Sequence, residues 1–174
     1  MTSAHLVRRF VGALRPGAPS AEAEAWAEAA LEPGELALFT RLPNHDRRHA
    51  VQVARRAEAA LGAECEPRWT AAALLHDVGK YDAGLSVPGR ALATVAAAGQ
   101  SGTRRVERWA RGRGLRRRLA VYAQHGEIGA AEIRDAGGRE EAAEWSEAHH
   151  HPECWSSLDI PYPVVLILDA ADQT

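Results

Sequence analysis

The chain has 174 residues, 46% of them hydrophobic, and a formal charge of -2, which suits one globular domain with a substantial core and requires no second one. No run of about twenty apolar residues offers a membrane span, and no charged-then-apolar leader is visible, so the expectation is a cytoplasmic protein with no membrane partner. The near-neutral balance makes nucleic acid an unfavoured partner, and Cys65 and Cys154, at no metal spacing, are expected as free thiols.

Taken in chain order, almost every segment carries helical periodicity. Residues 4–14 place Leu6, Val7, Phe10 and Leu14 on one stripe, closed by Pro16 and Gly17. Ser20 suits the N-cap of an Ala/Glu-rich helix reaching about residue 31, and the Pro33-Gly34 turn leads into a short helix ending before Pro43. These first 41 residues carry no chemical motif beyond His5 and are expected to serve as helical scaffold.

Asn44 or Asp46 is the expected cap of a helix running to Leu61 and stopped by Gly62. His49 lies at the edge of its apolar face of Ala50, Val53, Ala54 and Ala57. Pro67 opens a helix that aligns Trp69, Ala72, Ala73 and His76, so the His76-Asp77 pair is carried inward at its end. A loop is expected over 81–88 and a small-residue helix over 87–98. The tract from Arg104 to Arg118 follows, with eight arginines against the single acid Glu107. It is read as a solvated helical face, with a landing strip for a phosphorylated substrate or for nucleic acid as the sharper readings, the latter weakened because Trp109 is the one interleaved aromatic. Residues 114–136 should form a helix kinked near Gly126 and carrying Tyr122 and His125. Another from about residue 139 should end in the triplet His149-His150-His151. The apolar stripe Val164, Val165, Leu168 and Ala171 extends to Asp172. No strand-period segment is found, and the chain is expected to be all-α.

Lys80 is the only lysine in a chain whose other basic residues are arginines. A compact ammonium next to His76 and Asp77 is therefore a candidate functional group. Seven of the eight histidines fall in four places, His45/His49, His76, His125 and His149 to His151. Buried imidazoles left unpaired cost roughly 1–3 kcal/mol each, and a shared metal ion would satisfy several at once, with Asp77 and Asp172 neutralising the cation.

The order H…HD…H…HH…D, filled by His49, His76-Asp77, His125, His149-His150 and Asp172, resembles the HD-domain metal-dependent phosphohydrolase superfamily. LLHDVGK is close to the LLHDIGK wording of its HDIG-type branch. QHGEIGAAEI, AHHHPE and LILDAADQT look like that superfamily's H-x-E-x-G, HH-x-P and closing ADx segments. The resemblance covers about residues 42–174 and implies a helical bundle with a metal site in its core. It implies that His49, His76, Asp77 and Asp172 hold a first metal and that His125 with His149 or His150 holds a second, Asp77 bridging. His45, one turn before His49, His151 and Asp169 are the competing positions. The Gly-Tyr-Pro motif of the branch that cleaves cyclic dinucleotides is absent, and the long spacing from His76 to His125 places a basic insertion near 87–118.

An imidazole-rich site favours divalent Fe, Mn, Zn, Ni or Co over Mg or Ca, and two such ions can hold a hydroxide nucleophile and clamp a phosphoryl group. The expectation is a phosphohydrolase acting on a nucleotide or other small phosphate ester, with Asp77 at the reacting centre and Lys80 stabilising charge on the phosphate. Two other readings use the same residues: a di-iron oxygenase of the HD type, and a nucleotide-binding module with a structural metal.

Overall fold

The structure, a computed structural model, describes residues 17–85 and 104–173, without the side chains of residues 104, 105 and 107. The expected helices over 4–14 and 87–98 lie outside the described residues, as does His5. All described elements are helical, in the order α1 (Ala21–Ala30), α2 (Pro33–Arg41), α3 (Asn44–Leu61), α4 (Pro67–Leu75), α5 (Arg104–Ala110), α6 (Leu115–Ala123), α7 (His125–Asp135), α8 (Glu140–Ala148) and α9 (Tyr162–Asp172). Three short 3-10 turns, Gly62–Glu64, Val78–Ala83 and Pro152–Ser157, join them. The all-α expectation holds for this part of the chain.

Helix boundaries follow local chemistry. The Ser20 hydroxyl accepts the Ala23 N–H at 3.2 Å and caps α1. Pro33 and Gly34 are the first two residues of α2 rather than a turn before it, because a first-turn proline sacrifices only an amide that has no intrahelical partner. Neither Asn44 nor Asp46 caps α3. Pro43 occupies the cap position, and Asn44 is already helical, with its Oδ1 accepting from Arg47 Nη2 at 2.8 Å. Gly62 ends α3 with φ +56°, a conformation that favours glycine. The expected loop over 81–88 begins inside the 3-10 turn Val78–Ala83, and its residues 86–88 lie outside the described residues. The break between α6 and α7 falls at Gln124, whose N–H closes on the carbonyls of Ala120 and Val121.

Helix α4 is the axis of the core. Every residue from Trp69 to Leu75 is buried, between α3 on one side and α8 on the other. Helix α9 covers α3, α7 lies against α8, and both α6 and α7 pack on the turn Val78–Ala83. One apolar cluster includes Phe39, Val53, Trp69, Leu74, Ile133, Trp145 and Leu168, while Ala83, Leu85 and Val121 form a smaller one under α6. Truncating Leu74 in such a site costs about 2–5 kcal/mol, a large share of a domain's stability.

A buried ion pair ties the first helices to this core. Glu35 of α2 is fully buried and accepts from the Arg139 backbone N–H at 2.9 Å and from its guanidinium Nη2 at 2.5 Å, at the start of α8. Burial alone would raise the Glu35 pKa. The Arg139 hydrogen bonds and the Glu32 N–H outweigh burial and lower it.

Candidate metal centre

The site is assembled from helix ends. His76 follows the last residue of α4, His149 follows the last residue of α8, and His125, just past the Gln124 cap that ends α6, opens α7. The last carbonyls of a helix have no partner within it, and each histidine uses one. His76 Nδ1 donates to Ala73 O at 2.8 Å, His125 Nδ1 to Tyr122 O at 2.7 Å, and His149 Nδ1 to Ser146 O at 2.7 Å. A carbonyl oxygen carries no proton, so each Nδ1 does, and each ring turns its Nε2 into the same space. The C-terminus of α9 adds Asp172. Four helix C-termini thus meet here, each with the partial negative charge that favours a cation.

Asp77 stands between two groups of donors. Its Oδ2 lies 3.4 Å from His76 Nε2, and its Oδ1 lies 3.3 Å from His125 Nε2 and 3.6 Å from His149 Nε2. Asp172 Oδ1 is 2.9 Å from His49 Nε2 and 3.6 Å from His76 Nε2. One set of potential ligand atoms, from His49, His76 and Asp77, falls within 4.8 Å of one another, and so does a second set from His125, His149 and His150. His150 is the solvent-facing member, its ring centroid 3.9 Å from that of His149.

These contacts fit a metal better than hydrogen bonds. His76 Nε2 and Asp77 Oδ1 are buried without a hydrogen-bond partner of good geometry. His125 Nε2 and His149 Nε2, both opposite Nδ1–H groups held by carbonyls, face each other at 3.3 Å. Two lone pairs so placed repel unless a proton or a cation lies between them. Either group of donors could hold a divalent ion, and the nitrogen-rich set suits the transition series.

Electrostatics support the same arrangement. Burial lowers the His76 pKa, but Asp77 and Asp172 override it and raise the value to about 10. Burial and the Lys80 ammonium lower His125 to about 4, so it is a neutral donor at pH 7. Asp77 is pushed up by burial, yet Lys80 and His76 hold it well below the ordinary carboxylate range. A metal entering the His76 side must displace a proton from an imidazolium, which makes binding there pH-dependent.

Each residue singled out in the sequence has a definite place. His49, His76, Asp77, His125, His149, His150 and Asp172 converge. Lys80 is buried, and its Nζ donates to Asp77 Oδ2 at 2.5 Å with the Tyr122 ring 5.7 Å away. His45 Nε2 lies 3.3 Å from Asp46, His151 turns to Glu153 at 3.1 Å, and Asp169 accepts from Gln173. Of the two tail aspartates, Asp172 is the one at the centre. Compared with family models, with curated proteins and with solved structures, the chain matches none. The centre therefore rests on its own geometry.

Four residues there were not singled out as functional from sequence. Ser146 is fully buried, and its hydroxyl donates to His76 O at 3.2 Å and Gly126 O at 3.3 Å, joining the α4, α7 and α8 ends. Tyr122 stands beside His125, centroids 5.6 Å apart. Gly79 has an ordinary φ, so its value is space rather than turn formation: an added Cβ would sit 2.1 Å from His125 O. Gly126 has the same role against Ser146 O, at 2.7 Å, two residues after the helix break at Gln124.

Proposed function

We propose that this chain is an HD-domain metal-dependent phosphohydrolase that cleaves a nucleotide or another small phosphate ester and uses two divalent transition-metal ions. The observation that carries the reading is Asp77, whose two oxygens face separate imidazole groups on a floor of helix C-termini. His49, His76, Asp77 and Asp172 would hold one ion, and His125, His149 and His150 the other. When bound, such a pair supplies an activated water and a Lewis-acid clamp for the phosphoryl oxygens.

The chain's own groups do the positioning. The carbonyls of Ala73, Tyr122 and Ser146 fix three ring orientations and present Nε2 inward. Lys80 holds Asp77 Oδ2 and keeps the carboxylate ionised, so it acts on the centre through Asp77. Ser146 keeps the His76 and Gly126 backbones in register.

A di-iron oxygenase or a nucleotide-binding module would draw on the same donors. Hydrolysis is favoured by the arginine-rich helix that leads to the centre, since phosphate substrates need such a surface and small neutral ones do not. The test is a screen of phosphate release from nucleotides and sugar phosphates by protein loaded in turn with Mn, Zn, Ni, Co or Fe. Release by the parent protein and loss of it in folded His76→Ala support the proposal. Equal release by His76→Ala, or oxygen consumption by an iron-loaded form with no phosphate release, contradicts it.

A further inference from the structure

The arginines of this chain divide into two populations. Among the described residues outside the basic tract, each arginine is engaged: Arg41 with Glu132, Arg47 with Glu24, Arg68 with Glu141, Arg134 with Glu140, Arg139 with Glu35, and the others similarly. The six whose side chains are described within the tract, Arg108, Arg111, Arg113, Arg116, Arg117 and Arg118, are exposed, and their guanidinium groups make no ion pair or hydrogen bond among the described residues. Eight arginines and one glutamate give residues 104–118 a charge of +7, so the rest of the chain carries -9 of the total -2. A positive face on an otherwise acidic molecule attracts anions and orients them.

That face is connected to the candidate metal centre. Helix α5 packs on α6, and α6 packs on the turn that carries Lys80. Arg118 lies over this turn, its Nη2 3.0 Å from where a Cβ on Gly84 would stand. Tyr122 is one helical turn further on the same face of α6, half-buried, beside His125 and 5.7 Å from Lys80 Nζ. The line from Arg118 to Tyr122 to His125 runs from the unpaired guanidinium groups to the metal-ligand donors. Nine residues of α6 extend about 13 Å, room for a chain of a few phosphates and too short for a long strand.

We infer that the α5–α6 arginine surface is a substrate subsite that binds the additional phosphates of a nucleoside polyphosphate while one phosphate sits at the metal centre. Resting on the phosphohydrolase reading for the role of the centre, it names the substrate class: a nucleotide with several linked phosphates rather than a monophosphate. Guanidinium groups without protein partners keep their full complement of donors for phosphate oxygens.

Binding read without turnover tests it. Calorimetry on the metal-loaded full chain with AMP, a non-hydrolysable ATP analogue, inorganic tripolyphosphate and a 20-mer single-stranded DNA should show the ATP analogue at least about tenfold tighter than AMP, as charge-assisted contacts of this kind supply. Tripolyphosphate should compete, and the advantage should shrink as salt rises. R117Q/R118Q should remove most of the advantage, while R134Q, a paired surface arginine, should retain it. Equal affinity for AMP and the ATP analogue, an advantage unaffected by R117Q/R118Q, or a 20-mer binding more tightly than the ATP analogue would overturn the inference. If the advantage appears but no phosphate is ever released from ATP, the subsite stands and the hydrolase reading falls.

Discussion

His125 Nε2 and His149 Nε2 face each other at 3.3 Å, while the opposite nitrogen of each ring is pinned to a carbonyl three residues earlier. The pinning fixes both tautomers and leaves two lone pairs in one small space next to the Asp77 carboxylate. A fold that builds this from the ends of α6 and α8 has made a place for positive charge.

Removing His125 should empty only one side of the centre. His125→Ala leaves His49, His76, Asp77 and Asp172 in place, so elemental analysis should find about half the metal of the parent protein, with activity reduced by at least 10- to 100-fold. Full retention of both ions would contradict the division of donors around Asp77.

Lys80→Met tests whether the ammonium works through Asp77. Breaking a buried pair on one side costs about 3–5 kcal/mol, so metal-free protein should unfold at lower denaturant concentration. Bound cations would compensate the orphaned carboxylate, so added metal should raise the melting temperature more in the variant than in the parent. Equal shifts in the two proteins would show that Lys80 does not act on Asp77.

Gly79→Ala should harm the centre through the backbone alone. The added methyl would meet His125 O at 2.1 Å, and forcing α7 away from the turn should cost about 1–3 kcal/mol together with metal affinity. Urea unfolding and metal titration of the same preparation check both, and an unchanged affinity would show that the close approach is dispensable.

The centre was more legible in the sequence than the frame around it. His49, His76, Asp77, His125, His149, His150 and Asp172 stand out because buried helical stripes ending in titratable groups need a common explanation. The Ala171-Asp172 dipeptide favours Asp172 over Asp169, and in three dimensions the first approaches His49 while the second accepts from Gln173. Lys80 was visible as an anomaly, but its contact with Asp77 was not. Gly79 and Gly126 look like turn or kink signals in one dimension, whereas their physical role depends on which carbonyl faces them. Glu35 gave no signal at all: an acid in the first turn of a helix is ordinary, and only the distant Arg139 makes it a buried anchor.

That anchor sets an acid limit on stability. The folded Glu35 pKa lies below the ordinary value of 4.5, so its contribution is fully present above that value and is lost as pH falls through the folded one. Unfolding followed by circular dichroism should show a steeper loss of stability below about pH 4.5 in the parent than in Glu35→Gln. Glu35→Gln should also be less stable at pH 7, by about 3–5 kcal/mol, because the Arg139 charge then keeps only the more distant and exposed Glu32 carboxylate, 3.9 Å away. Identical acid profiles would remove Glu35 from the account.

If Asp77 joins two cation positions, the reconstituted parent chain should hold about two divalent transition-metal ions by elemental analysis, and a folded Asp77→Asn variant should lose both. A parent chain that retains none after reconstitution, or an Asp77→Asn variant that keeps the full complement, would contradict that arrangement.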